Sequence, residues 1–317
     1  MTTQPRLEAP RIAGEEIRAN FVKSVILIVI LVAIVIGLSL WIGAELQDRD
    51  TGLIIGLVVT LVVIPVQILT AKLVILGMAR GRKADPEDLR ERRAIHIVEG
   101  LAVSAGLSRT PPLYIIPSDV PNAFASGMGE GDAFVAVTAG LLNMMDDQEL
   151  EGVIGHEIGH IVHRDIMLNQ LVVGLISTIL ILAFILERIL LTKALTGGNR
   201  RSRNDNGSAG AAILILILAA ILIRPLAGLI SQLLQMAISR KREFAADAYS
   251  VQVCSYSEGL ARALEKLDRD SHPYSSEEKE SLGGSKLAAM YINFPGETLF
   301  STHPPIAERV RRIRNTF

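Results

Sequence analysis

Two uncharged apolar stretches near the N-terminus constrain this chain more than anything else in it. Residues 25–36 carry no charge and the run continues to Gly43, with Trp41 near its end; residues 53–71 form a second such run. Each is close to the ~20 residues needed to cross a bilayer's hydrocarbon core. The competing reading is a core helix of a soluble protein, but such a helix keeps a polar face and these stretches have none. The first run is too long for a signal-peptide core, and no small-x-small cleavage site follows it before Glu45-Leu46-Gln47. It is therefore expected to stay in place as an anchor.

Composition narrows the reading further. The chain has 317 residues, a length that allows two soluble domains, but its 50% hydrophobic residues are heaped into runs rather than spread. A net charge of −1 does not suggest a nucleic-acid partner. Cys254 is the only cysteine, so no internal disulfide and no cysteine zinc site can form. It is expected to behave as a small hydrophobe.

Charge sets an orientation. Arg6, Arg11, Arg18 and Lys23 precede the first run, and Lys72, Arg80, Arg82 and Lys83 follow the second, while a short acidic turn, residues 45–51, joins them. By the positive-inside rule both flanks face the cytoplasm. A third run, residues 171–186, and a fourth, residues 211–234 interrupted by Arg224-Pro225, flank a basic, polar loop at 197–207. If that pair spans, the loop faces outward against the same rule. A spanning pair is still expected, because the soluble segments on either side must meet on one face of the membrane.

Between the hairpins, residues 87–106 have apolar residues at helical spacing and a stop at Gly106. Residues 112–117, 122–126 and 133–138 read as three short strands, the last two joined by a Gly-rich turn. Asp146 and Glu149 have capping-box spacing at the start of a helix whose buried face is Leu150, Val153, Ile154, Ile158, Ile161 and Val162. Gly152, Gly155 and Gly159 lower its propensity and would let another helix approach closely.

That helix carries His156-Glu157-Ile158-Gly159-His160. Residues i and i+4 share a helix face, so both imidazoles can reach one metal ion, and Glu157 beside them can polarise a metal-bound water. This is the constellation of a zinc peptidase. Two His ligands leave a tetrahedral zinc short of one protein ligand and one water. Glu243 and Asp247, again i and i+4, can supply a third ligand and a carboxylate for the free N–H of a ligating His. They can equally be two solvated carboxylates beside a basic cluster. His163 shares the face at i+7 but lies ~10.5 Å along the axis from His156, too far for one metal, and is expected at the helix end or surface. His96 and His272 have no evident partners.

The HExxH segment, Glu243 with Asp247, and Ser301-Thr302-His303-Pro304-Pro305-Ile306-Ala307-Glu308-Arg309 together resemble the motifs of HtpX-type membrane zinc metalloproteases, gluzincins related to the CAAX prenyl endopeptidases. Pro121-Asn122-Ala123-Phe124-Ala125 is similar to the family's Asn-Ala-Phe segment, and the resemblance covers residues 20 to 317. It implies one zinc per chain held by His156, His160 and Glu243, with Asp247 behind a ligating His and Glu157 as general base and acid. It implies oxyanion-stabilising donors at His303 and Arg309, and an edge strand at Asn122, Ala123, Phe124 and Ala125 that pairs with an extended substrate; a plain core strand is the competing reading of that segment.

The fold class expected is thus mainly α and integral to a membrane. Two hydrophobic helical hairpins accompany a zincin-like α+β catalytic domain with a small sheet beside the HExxH helix. The expected divisions are a mobile tail at 1–21, a hairpin at 22–78, a first catalytic part at 79–165, the second hairpin at 166–234 and a second catalytic part at 235–317. The function implied is cleavage of misfolded membrane proteins or unfolded polypeptides at the bacterial inner membrane, with the catalytic domain cytoplasmic. A homo-oligomer is compatible with the sequence. The other readings are a membrane scaffold or chaperone with a structural metal, and a dedicated processing protease.

Overall fold

Helix α1, Ala9–Leu46, runs unbroken for 38 residues because nothing after Pro10 denies it a backbone hydrogen bond. The computed structural model describes residues 9–171, 242–254, 256, 258–269 and 304–315, with 174, 178, 184, 188 and 192 described singly. Residues 9–21, expected as a tail, are therefore helical. The chain reverses at Gln47, whose φ is 55°, and Asp48 caps α2, Arg49–Val58, by accepting from the N–H groups of Asp50 and Thr51. Gly43 and Gly52 let α1 and α2 touch: a Cβ on Gly52 would lie 2.6 Å from the Ser39 carbonyl oxygen. A π-turn, Val59–Val63, then leads into α3, Ile64–Met78. Its position follows from Pro65, which has no N–H to offer a carbonyl one turn back.

Residues Asn20–Ala44 and Arg49–Met78 form two helices long and apolar enough to cross a membrane. Most of each apolar stretch lies outside the protein core, 24% buried in the first and 11% in the second. Leu61, Leu69 and Leu73 are 67%, 78% and 72% exposed, an arrangement that water penalises and lipid does not.

A four-stranded mixed sheet follows. Strands β1, Arg82–Lys83, β2, Leu113–Ile116, β3, Ala123–Ser126, and β4, Phe134–Thr138, lie in the order β1-β2-β4-β3. β2 runs parallel to β4 with Leu113 opposite Val135, and β3 antiparallel to β4 with Ala123 opposite Val137. All five residues of β4 are buried, as its central place requires. Gly127 turns the β3–β4 connection at φ 144°, where a Cβ would lie 2.7 Å from Ala133 Cα. Helix α4, Leu89–Ser104, starts on Asp88 and ends on Gly106 at φ 66°, with Gly106 donating to Val103 and Leu107 to Ala102. The sequence pattern carried no signal for two-residue β1 or for the short helix α5, Ala139–Met144.

Helix α6, Asp147–Val162, has the full capping box: Asp146 accepts from the Glu149 N–H, and Glu149 accepts from the Asp146 N–H. Its apolar face joins β2, β4 and α4 in one core that includes Val98, Leu113, Val135, Leu150, Ile154 and Ile158. Burying a Leu or Ile there stabilises the fold by about 1.5–3 kcal/mol. After a turn at 163–164, helix α7 occupies residues 165–171 of the described chain. Helix α8 covers residues 242–253, α9 is Glu258–Arg269 and α10 is Ile306–Asn315. α10 packs Val310 and Ile313 onto Leu260 and Leu264 of α9.

The chain divides into two units: residues 1–24, 70–170 and 235–317 in one, 25–69 and 171–234 in the other. Most of the second expected hairpin and its basic loop lie outside the described residues, as does His303.

Candidate metal centre

Three glycines decide how closely α8 and α9 approach α6. A Cβ on Gly152 would lie 2.5 Å from Leu260 N, and one on Gly155 would lie 2.6 Å from Cys254 Sγ. Gly159 faces Ala246 and Tyr249 at 3.3 Å. The ~1 kcal/mol that each helical glycine costs is offset by this contact. Ser250 fixes the register by donating to the Gly152 carbonyl at 2.7 Å. The N-terminal turns of α8 are thereby set beside the two histidines.

His156 and His160 stack edge to face with centroids 4.7 Å apart, and their Nε2 atoms are 3.2 Å from each other. Glu243 places one carboxylate oxygen 3.5 Å from each of these nitrogens. One ligand atom from each of the three side chains falls within 4.8 Å of the other two. Glu157 is buried on the same helix, 3% exposed.

Each imidazole is held from behind. His156 Nδ1 lies 2.9 Å from Asp247 Oδ1, and His160 Nδ1 lies 2.9 Å from Asp165 Oδ2. A carboxylate at Nδ1 fixes the proton there and leaves the Nε2 lone pair for a metal. Two such lone pairs 3.2 Å apart repel unless a cation or a proton stands between them. Burial alone would pull the His156 imidazole down; Asp247 and Glu243 outweigh it and raise it to about 9. The electrostatic balance points the same way. Among the described residues, the carboxylates of Glu157, Asp165, Glu243 and Asp247 are buried beside the guanidiniums of Arg242 and Arg309, an excess of negative charge that favours a bound cation. Two imidazoles and a carboxylate suit zinc among divalent ions.

Asp247 in turn is gripped by Arg309, whose Nε and Nη2 donate to its two oxygens at 2.9 and 2.7 Å. Arg309 is 1% exposed, and its Nη1 lies 3.9 Å from Glu243. Burial would raise the Asp247 carboxyl, but the Arg309 guanidinium prevails and holds it below the usual carboxylate range. Arg309 was expected to donate toward the reaction; its fork instead faces Asp247. Asn122 and Phe124 are fully buried, and Asn122 donates its N–H to Thr138 Oγ1 at 2.8 Å. β3 is nevertheless the end strand of the described sheet. His163 caps the C-terminus of α6, buried and edge-on to Tyr249 at 5.4 Å, and His96 is exposed beside Glu99.

The pattern of peptidase family M48 matches residues 88–317, most of the chain and every residue of the centre named above. The chain belongs to peptidase family M48. Relatives named Protease HtpX homolog agree with it. That of Streptococcus uberis is 37% identical over 279 residues, covering 85% of this chain and 88% of the relative. That of Listeria monocytogenes serotype 4a is 34% identical over 311 residues, covering 95% and 99%. Among solved structures, S. mikatae Ste24p aligns at TM-score 0.49 and 19% identity, over 94% of this chain and 66% of that one. As a member of family M48 the chain is a metalloendopeptidase, with its HExxH segment on α6.

Asp165 escaped the sequence reading. Its signal was a carboxylate five residues after the second His of the motif, beyond the helix end, where helical spacing arguments stop applying. Asp165→Ala is expected to weaken metal binding about ten- to a hundred-fold, read by competition with a chromophoric chelator.

Cys254 fits the expected small hydrophobe. Its thiol is pushed up to about 12, first by burial, against the contact with Ser250, and further by Glu151. In the folded protein at pH 7.5 a disulfide reagent is expected to leave it unmodified, and denaturation is expected to bring labelling within minutes.

Proposed function

We propose that this M48 metalloendopeptidase is a zinc enzyme of the bacterial cytoplasmic membrane that removes misfolded membrane proteins and unfolded polypeptides. The observation that carries the reading is the pairing of a general base with oriented ligands. Glu157, buried on α6, follows His156 in a sequence motif whose two histidines both have their Nδ1 atoms engaged by carboxylates, Asp247 and Asp165. A purely structural metal needs no such base.

Zinc held by His156, His160 and Glu243 would supply Lewis acidity, making a water acidic near neutral pH and polarising the scissile carbonyl. Glu157 takes the proton of the attacking water and returns it to the leaving amine. His303 is the proposed donor to the developing oxyanion. Arg309 keeps Asp247 in place, so its proposed role is to position His156. Residues 122–125 are the proposed pairing segment for the backbone of an extended substrate. The basic residues that follow α3, among them Arg80, Arg82 and Lys83, support a cytoplasmic catalytic face.

The test is cleavage by the purified chain in liposomes, with unfolded casein and a destabilised membrane protein as substrates. Chelator-sensitive cleavage of both, with their folded forms spared, supports the quality-control reading. Cleavage confined to a single tail or prenylated peptide would favour a dedicated processing protease. A zinc-loaded chain that cleaves nothing would favour the scaffold.

A further inference from the structure

We infer that Asn20, on the N-terminal apolar helix, is a positioning residue of the metal centre, acting on His160 through Asp165. The inference rests on the zinc reading above and adds to it a residue far from every motif. Asn20 is 2% exposed, although asparagine is a poor residue for a helix interior. Its side-chain amide donates to Asp165 Oδ1 at 2.7 Å and to the His163 carbonyl at 3.0 Å. Both neighbours are acceptors at this point, so the NH2 end must face them.

What it pins is the turn by which α6 ends. His163 is the C-cap, and Arg164 sits at φ 59°, a left-handed conformation that costs a non-glycine residue on the order of 1 kcal/mol. The next residue is Asp165, whose other oxygen receives His160 Nδ1. The turn thus determines where the carboxylate stands, and the carboxylate determines which way the His160 ring points. Arg242 reaches the Asn20-facing oxygen of Asp165 at 3.3 Å and anchors its other arm on Asn169 at 3.1 Å. Arg242 supplies charge to Asp165, while Asn20 ties both the turn's carbonyl and its carboxylate to α1. The centre is complete only when the first helix is seated. A chain lacking that helix would keep the ligands and lose part of their orientation.

The experiment is a double-mutant cycle on the full chain in detergent, read by chelator competition and by melting temperature. Asn20→Leu keeps the helix and the apolar volume and removes both donors; it is expected to weaken zinc binding about tenfold, with a lower kcat and little change in KM. In an Asp165→Ala background the same substitution is expected to leave zinc affinity unchanged, because its route to His160 is already cut. Ser24→Ala, one turn further along α1, is expected to bind zinc as the unaltered chain does. Unchanged affinity in Asn20→Leu, or an equal loss in both backgrounds, overturns the inference while the zinc reading stands. An unaltered chain that binds no zinc overturns both.

Discussion

Glu157→Gln lowers kcat/KM by about three to four orders of magnitude and leaves one zinc bound per chain. The size follows from removing a general base that also serves as the acid for the leaving amine, ~4–5.5 kcal/mol of barrier. The retained metal follows from the geometry. Glu157 is not among the three side chains whose ligand atoms converge, and glutamine preserves its volume in a site where it is 3% exposed. Metal counting, melting temperature and cleavage of a quenched fluorescent peptide are to be run side by side. Loss of zinc together with activity would make Glu157 a structural residue, and near-normal activity would remove it from the chemistry.

Arg309→Ala is expected to destabilise the catalytic unit by about 3–5 kcal/mol, a large share of the ~5–15 kcal/mol that holds a typical domain. Few positions in the described chain combine so much burial with so much charge. Arg309 is 1% exposed and contacts Asp247 through two hydrogen bonds, with Glu243 close behind. Truncation leaves the Asp247 carboxylate, 3% exposed, without the guanidinium that offsets its burial. The double variant Arg309→Ala, Asp247→Ala is expected to melt higher than Arg309→Ala alone, because it removes the stranded charge. If the double variant is the less stable of the two, Arg309 contributes through packing rather than through the pair.

The parts of this fold legible in the sequence are those that local chemistry decides. The capping box at Asp146 and Glu149, the left-handed stop at Gly106 and the strand that Pro112 and Pro117 bracket depend on neighbours a few residues away. The pairing of Glu243 with the HExxH helix depends on a contact across some eighty residues of chain. Spacing alone left it beside a bland alternative, and only the motif resemblance favoured it. The glycines of α6 gave a hint of that contact without naming the partner helix. Asp165 and Asn20 were invisible for a further reason. A turn residue and one polar residue at the edge of an apolar run acquire meaning only when 143 residues of separation, from Asn20 to His163, are closed in space. Arg309 was visible as a motif residue, but its side chain's direction was not.

His156, His160 and Glu243 are expected to hold one zinc ion. X-ray absorption at the zinc edge on the purified chain, with Glu243→Ala alongside, tests it most directly. The expected result is one zinc per chain, light-atom neighbours only at about 2.0–2.2 Å, two of them imidazole, and a drop in zinc occupancy for the variant. A sulfur neighbour near 2.3 Å, or a variant that binds zinc as tightly as the unaltered chain, would contradict it.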